Sequence, residues 1–187
     1  MPLPLLRLLS ERKFDDARKA CDFVLSGEST LADKIWLKRR IAMIERDPSQ
    51  HEWMYRAIVR RRDRQMVGYI SFHHKAPDPD LREHCPYTAE LGYTIEPAYR
   101  RCGHATESAV GMMHWAHRKH RVETFFVTIS PSNTASLKMA QALNFKKTGE
   151  RIDDIDGLEF TMKLDIAGIP EAFWELTGGK AGQFGVP

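Results

Sequence analysis

The stretch "ELGYTIEPAYRRCGHATESA", Glu90 to Ala109, changes character twice, and the fold follows from how those changes are read. With Thr88 and Ala89 ahead of it, "TAELGYTI" alternates in the manner of a strand, Thr88 to Ile95. The residues after Ile95 include Pro97, Arg100, Arg101 and Gly103 and cannot continue that strand. From His104 they turn small and helix-compatible, which predicts a helix to about His120. Arg100, Gly103 and Ala105 fit a pyrophosphate-binding spacing: Gln or Arg, two residues, Gly, one residue, then Gly or Ala. Such a spacing arises by accident in roughly one chain in five of this length, so the pattern alone decides little. Its position decides more. Between a strand and a helix, the N–H groups of Arg101 to Thr106 can turn toward one anion while the helix adds its positive end. Gly103 then lacks a side chain because a phosphate oxygen must approach the backbone closely.

Working outward, an apolar run at Leu3 to Leu8 reads as a first strand. "KFDDARKACDFVL" (13–25) and "TLADKIWLKRRIAMIERD" (30–47) carry apolar residues at helical spacing. "WMYRAIVRR" and "QMVGYISFHH" alternate as strands around the polar hairpin turn "RRDR", and the proline-rich loop "KAPDPDLREHCP" follows. Beyond His120 come a strand "VETFFVTI", the loop "SPSN", a helix "TASLKMAQAL", and two strands, Phe145 to Arg151 and Leu158 to Leu164. The order β-α-α-β-β-β-α-β-α-β-β describes an antiparallel first half feeding a crossover helix between parallel strands. One domain is expected over residues 1–169. Residues 170–187 are expected to form a short helix and a mobile tail holding four of the twelve glycines.

At 187 residues the chain suits a single domain, and 28 Lys and Arg against 25 Asp and Glu leave only +3, too little to announce a nucleic-acid or membrane partner. Cys21, Cys85 and Cys102 are scattered and odd in number, so neither a disulfide framework nor a zinc knuckle is expected. The opening "MPLPLLRLLS" has no basic region ahead of it and no small-residue cleavage site behind it, and no apolar run is long enough to span a bilayer. A cytoplasmic protein, monomer or homodimer, is the expectation.

"ELGYTIEPAYRRCGHATESA" followed by "SPSNTASLKMAQALNF" resembles the GNAT superfamily of acetyl-CoA-dependent N-acyltransferases. "GHATE" with "NTAS" is similar to its branch of ribosomal-protein N-terminal acetyltransferases of the RimJ and RimL type. The likeness covers roughly Trp53 to Leu164. It implies an α/β (α+β) fold: a mixed, largely antiparallel sheet flanked by helices, whose fourth and fifth strands, a central parallel pair, splay apart to admit a pantetheine arm. It also implies that backbone groups of Tyr93, Thr94 and Ile95 hold that arm and polarise the thioester. By the same likeness Arg100, Arg101, Cys102, Gly103, His104, Ala105 and Thr106 hold the pyrophosphate, Asn133 contacts the cofactor, and Ser136 adds a contact in the first turn of its helix. The acyl donor implied is acetyl-CoA, with no metal. The acceptor is an amine, first a protein N-terminus and next a small molecule.

Acyl transfer to an amine needs a neutral nucleophile and a stabilised oxyanion. An α-amine is about a tenth neutral at pH 7, whereas a lysine amine is neutral in well under one part in about a thousand. A base therefore helps, and Glu90, on the strand entering the site, is the candidate; its alternative is a structural strand carboxylate. Many family members carry a Tyr seven positions after the Asn, which protonates the leaving thiolate; here that position is Ala140. The usual Gly before the closing Phe is Asn144, which also accepts a left-handed helix end.

Other features have plainer readings. His114, His117 and His120 step around a helix without a completing carboxylate or Cys and are expected on a solvated face rather than on zinc. His73 and His74 end a strand, where one could reach the acceptor; the alternative is one packed and one wet. Cys102 need have no role of its own. "RRRDR", Arg60 to Arg64, raises a rival class, a catalytically inactive GNAT-shaped module binding RNA or another polyanion, against a hairpin tip charged for solubility.

Overall fold

The computed structural model describes residues 1–25, 35–81, 87–153 and 157–176. Cys85, Thr30 to Lys34 of the second predicted helix, and residues 177–187 of the expected tail lie outside them. The described residues fall into two compact units, Met1–Lys75 with Gly92–Ala105, and Ala76–Leu91 with Thr106 onward.

In the first unit the expected opening strand is instead a helix, α1 (Leu3–Ser10). The apolar run has period three to four rather than two: Leu5, Leu6 and Leu9 are buried while Pro4 and Arg7 are exposed. Pro4 lies in the first turn, where a missing N–H costs nothing, so it starts the helix rather than breaking it. Helix α2 (Phe14–Ala20) is shorter than its pattern, because Cys21 is already extended and Val24 bridges Gln65 in parallel. Helix α3 (Ile35–Arg46) buries Leu37, Ile41 and Ile44, and Asp47 caps the 3-10 turn Pro48–Trp53. Trp53 meets Phe72 edge to face at 5.4 Å. Strands β1 (Arg56–Arg60) and β2 (Gln65–Phe72) form the expected antiparallel hairpin, closed by Arg64 at φ +58°.

Strand β3 (Thr88–Ile95) and helix α4 (His104–His120) have the bounds that the sequence suggests, and each runs through both units. In the second unit, strand β4 (Thr124–Ile129) pairs antiparallel with β6 (Gly157–Asp165), and β6 with β5 (Lys146–Asp153). Helix α5 (Thr134–Ala142) follows β4, and Asn144 closes it at φ +70°, the left-handed role expected of it. A last helix, α6, spans Glu171–Leu176. Val110, Met113, Ala116, Phe125, Phe126 and Leu143 are buried in this unit.

The strand order is β1-β2-β3-β4-β6-β5, with β3 and β4 parallel. Their register holds only Thr88 with Thr124, Ala89 with Phe125 and Glu90 with Phe126, although β3 runs on to Ile95 and β4 to Ile129. The central parallel pair expected of the fourth and fifth predicted strands is thus present, its pairing ending at Glu90 with Phe126. No described helix is long and apolar enough to cross a membrane.

Candidate active site

In the first unit, β3 and the bend after it are held from below by β2. Glu96 donates its N–H to the Val67 carbonyl at 2.9 Å. Gly68 lets the strands come unusually close: a Cβ there would lie 2.2 Å from the Thr94 oxygen. Pro97–Tyr99 makes one 3-10 turn, and Arg100 folds back so that its Nε donates to the Ile95 carbonyl at 3.0 Å. The chain then takes two left-handed residues within three, Arg101 at φ +63° and Gly103 at φ +81°, before α4 begins at His104. Arg101, Cys102 and Gly103 are exposed, and His104, Ala105 and Thr106 half-buried. None of the backbone N–H groups from Arg101 to Ala105 meets an acceptor among the described residues of this unit. Cys102 turns its thiol to the Arg100 carbonyl at 3.4 Å.

The basic hairpin tip stands next to this bend, with the Arg60 guanidinium 5.1 Å from the Tyr99 ring centre. Acids offset much of its charge: Arg60 and Arg62 share Asp63, and Arg64 reaches Asp22 at 2.6 Å.

In the second unit Glu90 is 2% exposed, an expensive position for a carboxylate without compensation. Thr128 on β4 donates its hydroxyl to Glu90 Oε1 at 2.6 Å. Arg151 on β5 brings Nη2 to that Thr128 oxygen at 3.0 Å and to Glu90 Oε1 at 3.4 Å, and its Nε donates to Glu159 of β6 at 3.1 Å. The two carboxylates hold the Arg151 guanidinium firmly charged, raising its pKa despite the burial that opposes it. Four strands thus contribute one side chain each to a chain of charge-assisted bonds. Asn133 is exposed and caps α5, its Oδ1 accepting from the Ser136 N–H at 3.2 Å. Ala140 is buried within α5, so no side-chain acid is presented from that position.

Of the expected site residues, the structure therefore gathers Tyr93 to Ala105 along one strand, bend and helix start, and gives Asn133 and Ser136 a shared turn. It ties Glu90 to partners that sequence reasoning missed, Thr128 and Arg151. It also reveals Gly68, whose signal was available as an isolated glycine inside a strand pattern. The α4 histidines do not converge: His117 Nδ1 bonds the Val122 carbonyl at 2.9 Å, and His120 lies against Trp115.

The chain belongs to the GNAT acetyltransferase family: residues 10–146 match the family's acetyltransferase (GNAT) domain. It is similar in fold to ribosomal-protein-S5-alanine acetyltransferase from Vibrio fischeri, with 13% identity over 88% of this chain and 90% of that one, at TM-score 0.58. The acetyltransferase yncA from Salmonella typhimurium, solved with its cofactor acetyl-CoA, gives 18% identity over 89% and 91%, at TM-score 0.55. A GNAT-family acetyltransferase from Bacillus anthracis gives 19% identity over 58% of this chain, which spans 64% of that protein, at TM-score 0.49. At such identities the likeness to the first two is one of fold. No curated protein matches the chain.

Proposed function

We propose that the protein transfers the acetyl group of acetyl-CoA to a primary amine by direct attack in a ternary complex, without a metal. The observation carrying this reading is the bend at Arg101 to Ala105, where two left-handed residues precede a helix and no N–H meets an acceptor among the described residues of its unit. Successive N–H groups so arranged, with the positive end of a helix, suit a diphosphate. In this reading Arg100 to Thr106 hold the pyrophosphate, Tyr93, Thr94 and Ile95 align the thioester, and Asn133 and Ser136 contact the pantetheine arm. The base role expected of Glu90 requires its Oε1 to leave Thr128 and Arg151 for the incoming amine, or to act through water. Glu90→Gln tests that role: an unchanged rate and pH profile would exclude it.

The acceptor favoured is a protein N-terminal α-amine in the manner of the RimJ and RimL branch, with small-molecule amines next. A screen of N-terminal peptides, polyamines and aminoglycosides with acetyl-CoA, read by free thiol release and product mass, separates them. Acetylation confined to peptide N-termini supports the first reading, and turnover of polyamines or aminoglycosides rejects it. Absence of heat on adding coenzyme A in calorimetry would overturn the enzymatic reading altogether. The rival, an inactive polyanion-binding module, predicts an RNA gel shift without turnover; the acid-paired arginines of the hairpin tip argue against it.

A further inference from the structure

His73 follows directly on β2, half-buried, and its backbone carbonyl is fixed by the Arg40 guanidinium from α3. Its imidazole lies over β3 at the one residue there without a side chain. A Cβ on Gly92 would come 3.1 Å from His73 Nε2 and 3.8 Å from its Cδ2 and, chain neighbours aside, within 4 Å of no other atom among the described residues. Gly92 is followed at once by Tyr93, the first residue of the segment to which the preceding reading assigns the thioester. A Cβ there would press on the ring edge, so glycine is what lets His73 Nε2 lie against the strand, beside the backbone that would hold the acyl group.

We propose that His73 is a catalytic residue whose Nε2 takes the proton from the acceptor's ammonium group, and that Gly92 is the positioning residue that admits the ring. This rests on the acetyltransferase reading, within which His73 takes the base role in place of Glu90, whose Oε1 is already held by Thr128 and Arg151. The acceptor's R–NH3+ gives one proton to Nε2. The neutral nitrogen then forms the N–C bond to the acetyl carbon as the C–S bond breaks. A second proton from that nitrogen passes to the departing thiolate, and the imidazolium releases its own to solvent. An α-ammonium, which ionises at about pH 8, yields its proton far more readily than a lysine ammonium at about 10.4, which favours α-amines as acceptors.

The test uses the full chain, acetyl-CoA, and whichever peptide N-terminus it turns over best. His73→Gln and His73→Ala should each lower kcat about 100-fold, the scale of general-base catalysis, with the acetyl-CoA KM changed less than about twofold. Added imidazole should restore part of the His73→Ala rate. Gly92→Ala should lower kcat about tenfold in the wild type and add nothing in the His73→Gln background, because both act on one ring. Wild-type kcat in His73→Gln, a loss in His73→Ala that imidazole does not restore, or additive losses in the double variant would overturn the proposal. If wild-type protein gives no heat with coenzyme A, the parent reading fails and this inference with it. Normal coenzyme A binding combined with a silent His73 overturns the inference alone.

Discussion

Gly68→Ala should destabilise the protein, against the usual sign for glycine inside a strand. Replacing glycine by alanine at a compatible site stabilises by about 0.4–1 kcal/mol, through the lower entropy of the unfolded chain. Here the added Cβ would lie 2.2 Å from the Thr94 oxygen and 3.0 Å from the Ile95 Cα. Reaching even 3.0 Å from that oxygen requires the β3 backbone to move by 0.8 Å, the difference between those two distances. The atoms in the way are main chain rather than the end of a flexible side chain, so the overpacking cost belongs at the upper part of about 1–3 kcal/mol. Subtracting the entropic gain leaves about 2 kcal/mol of net loss, which for a chain of this size lowers Tm by about 4–8 °C. The displaced residues belong to the segment proposed to align the thioester, and a misplacement near 1 Å can cost about 100-fold in rate. Scanning calorimetry and steady-state kinetics measure both effects. Gly149→Ala on β5, where a Cβ would meet nothing within 4 Å, is the control and should be neutral or slightly stabilising. A Gly68→Ala protein melting at or above the wild type would refute the argument, since entropy would then have outweighed a contact that does not exist.

Arg151→Met leaves Glu90 buried without its cation. Loss of one partner of a buried pair costs about 3–5 kcal/mol, discounted here to about 2 kcal/mol because Arg151 is 40% exposed, and Glu90→Gln in the same chain should recover most of it in denaturant unfolding. Gly103→Ala should cost about 1–2 kcal/mol from backbone conformation alone, since φ is +81° and the space is open, while raising the acetyl-CoA KM. The Asp47 carboxyl is drawn down to about 2, first by the Lys75 hydrogen bond and then by Ser49. A carboxyl depressed on folding contributes stability that is whole above the ordinary value near pH 4 and is lost as pH falls toward 2. Asp47→Asn should therefore flatten the acid limb of the stability curve between those values, and urea unfolding at stepped pH measures it.

What was legible in the sequence was what local chemistry fixes. Strand β3 and helix α4 have the predicted bounds because Pro97 and Gly103 punctuate the chain within a few residues of each end. Asn144 was legible for the same reason, as a left-handed residue closing a helix. The opening run reads as a strand when only its apolar character is weighed, since its helical period rests on three leucines, and α2 falls short because Val24 has a strand partner 41 residues away. The setting of Glu90 was out of reach in principle. Thr128 and Arg151 lie 38 and 61 residues from it, and which residues of β4 and β5 stand beside it depends on register, which alternation along a single strand does not specify.

The bend before α4 is the place where local sufficiency and function part company. Asn133 needs no ligand to explain it, since capping α5 already uses its side chain. Gly103 is likewise accounted for by its φ. Arg101 is not. Arg12, Arg121 and Asn144 take left-handed angles just after helices, Arg64 does so in a hairpin tip, and Tyr55 does so between the 3-10 turn and β1. Arg101 takes the same angle ahead of a helix, two residues before Gly103, at a conformational cost of about 1–2 kcal/mol for a side-chain-bearing residue. Alternating left-handed residues turn consecutive N–H groups to the same side, in a segment whose N–H groups meet no acceptor among the described residues of their own unit. In the proposed reading, a bound diphosphate is the reason for keeping backbone strain at this exposed cationic residue.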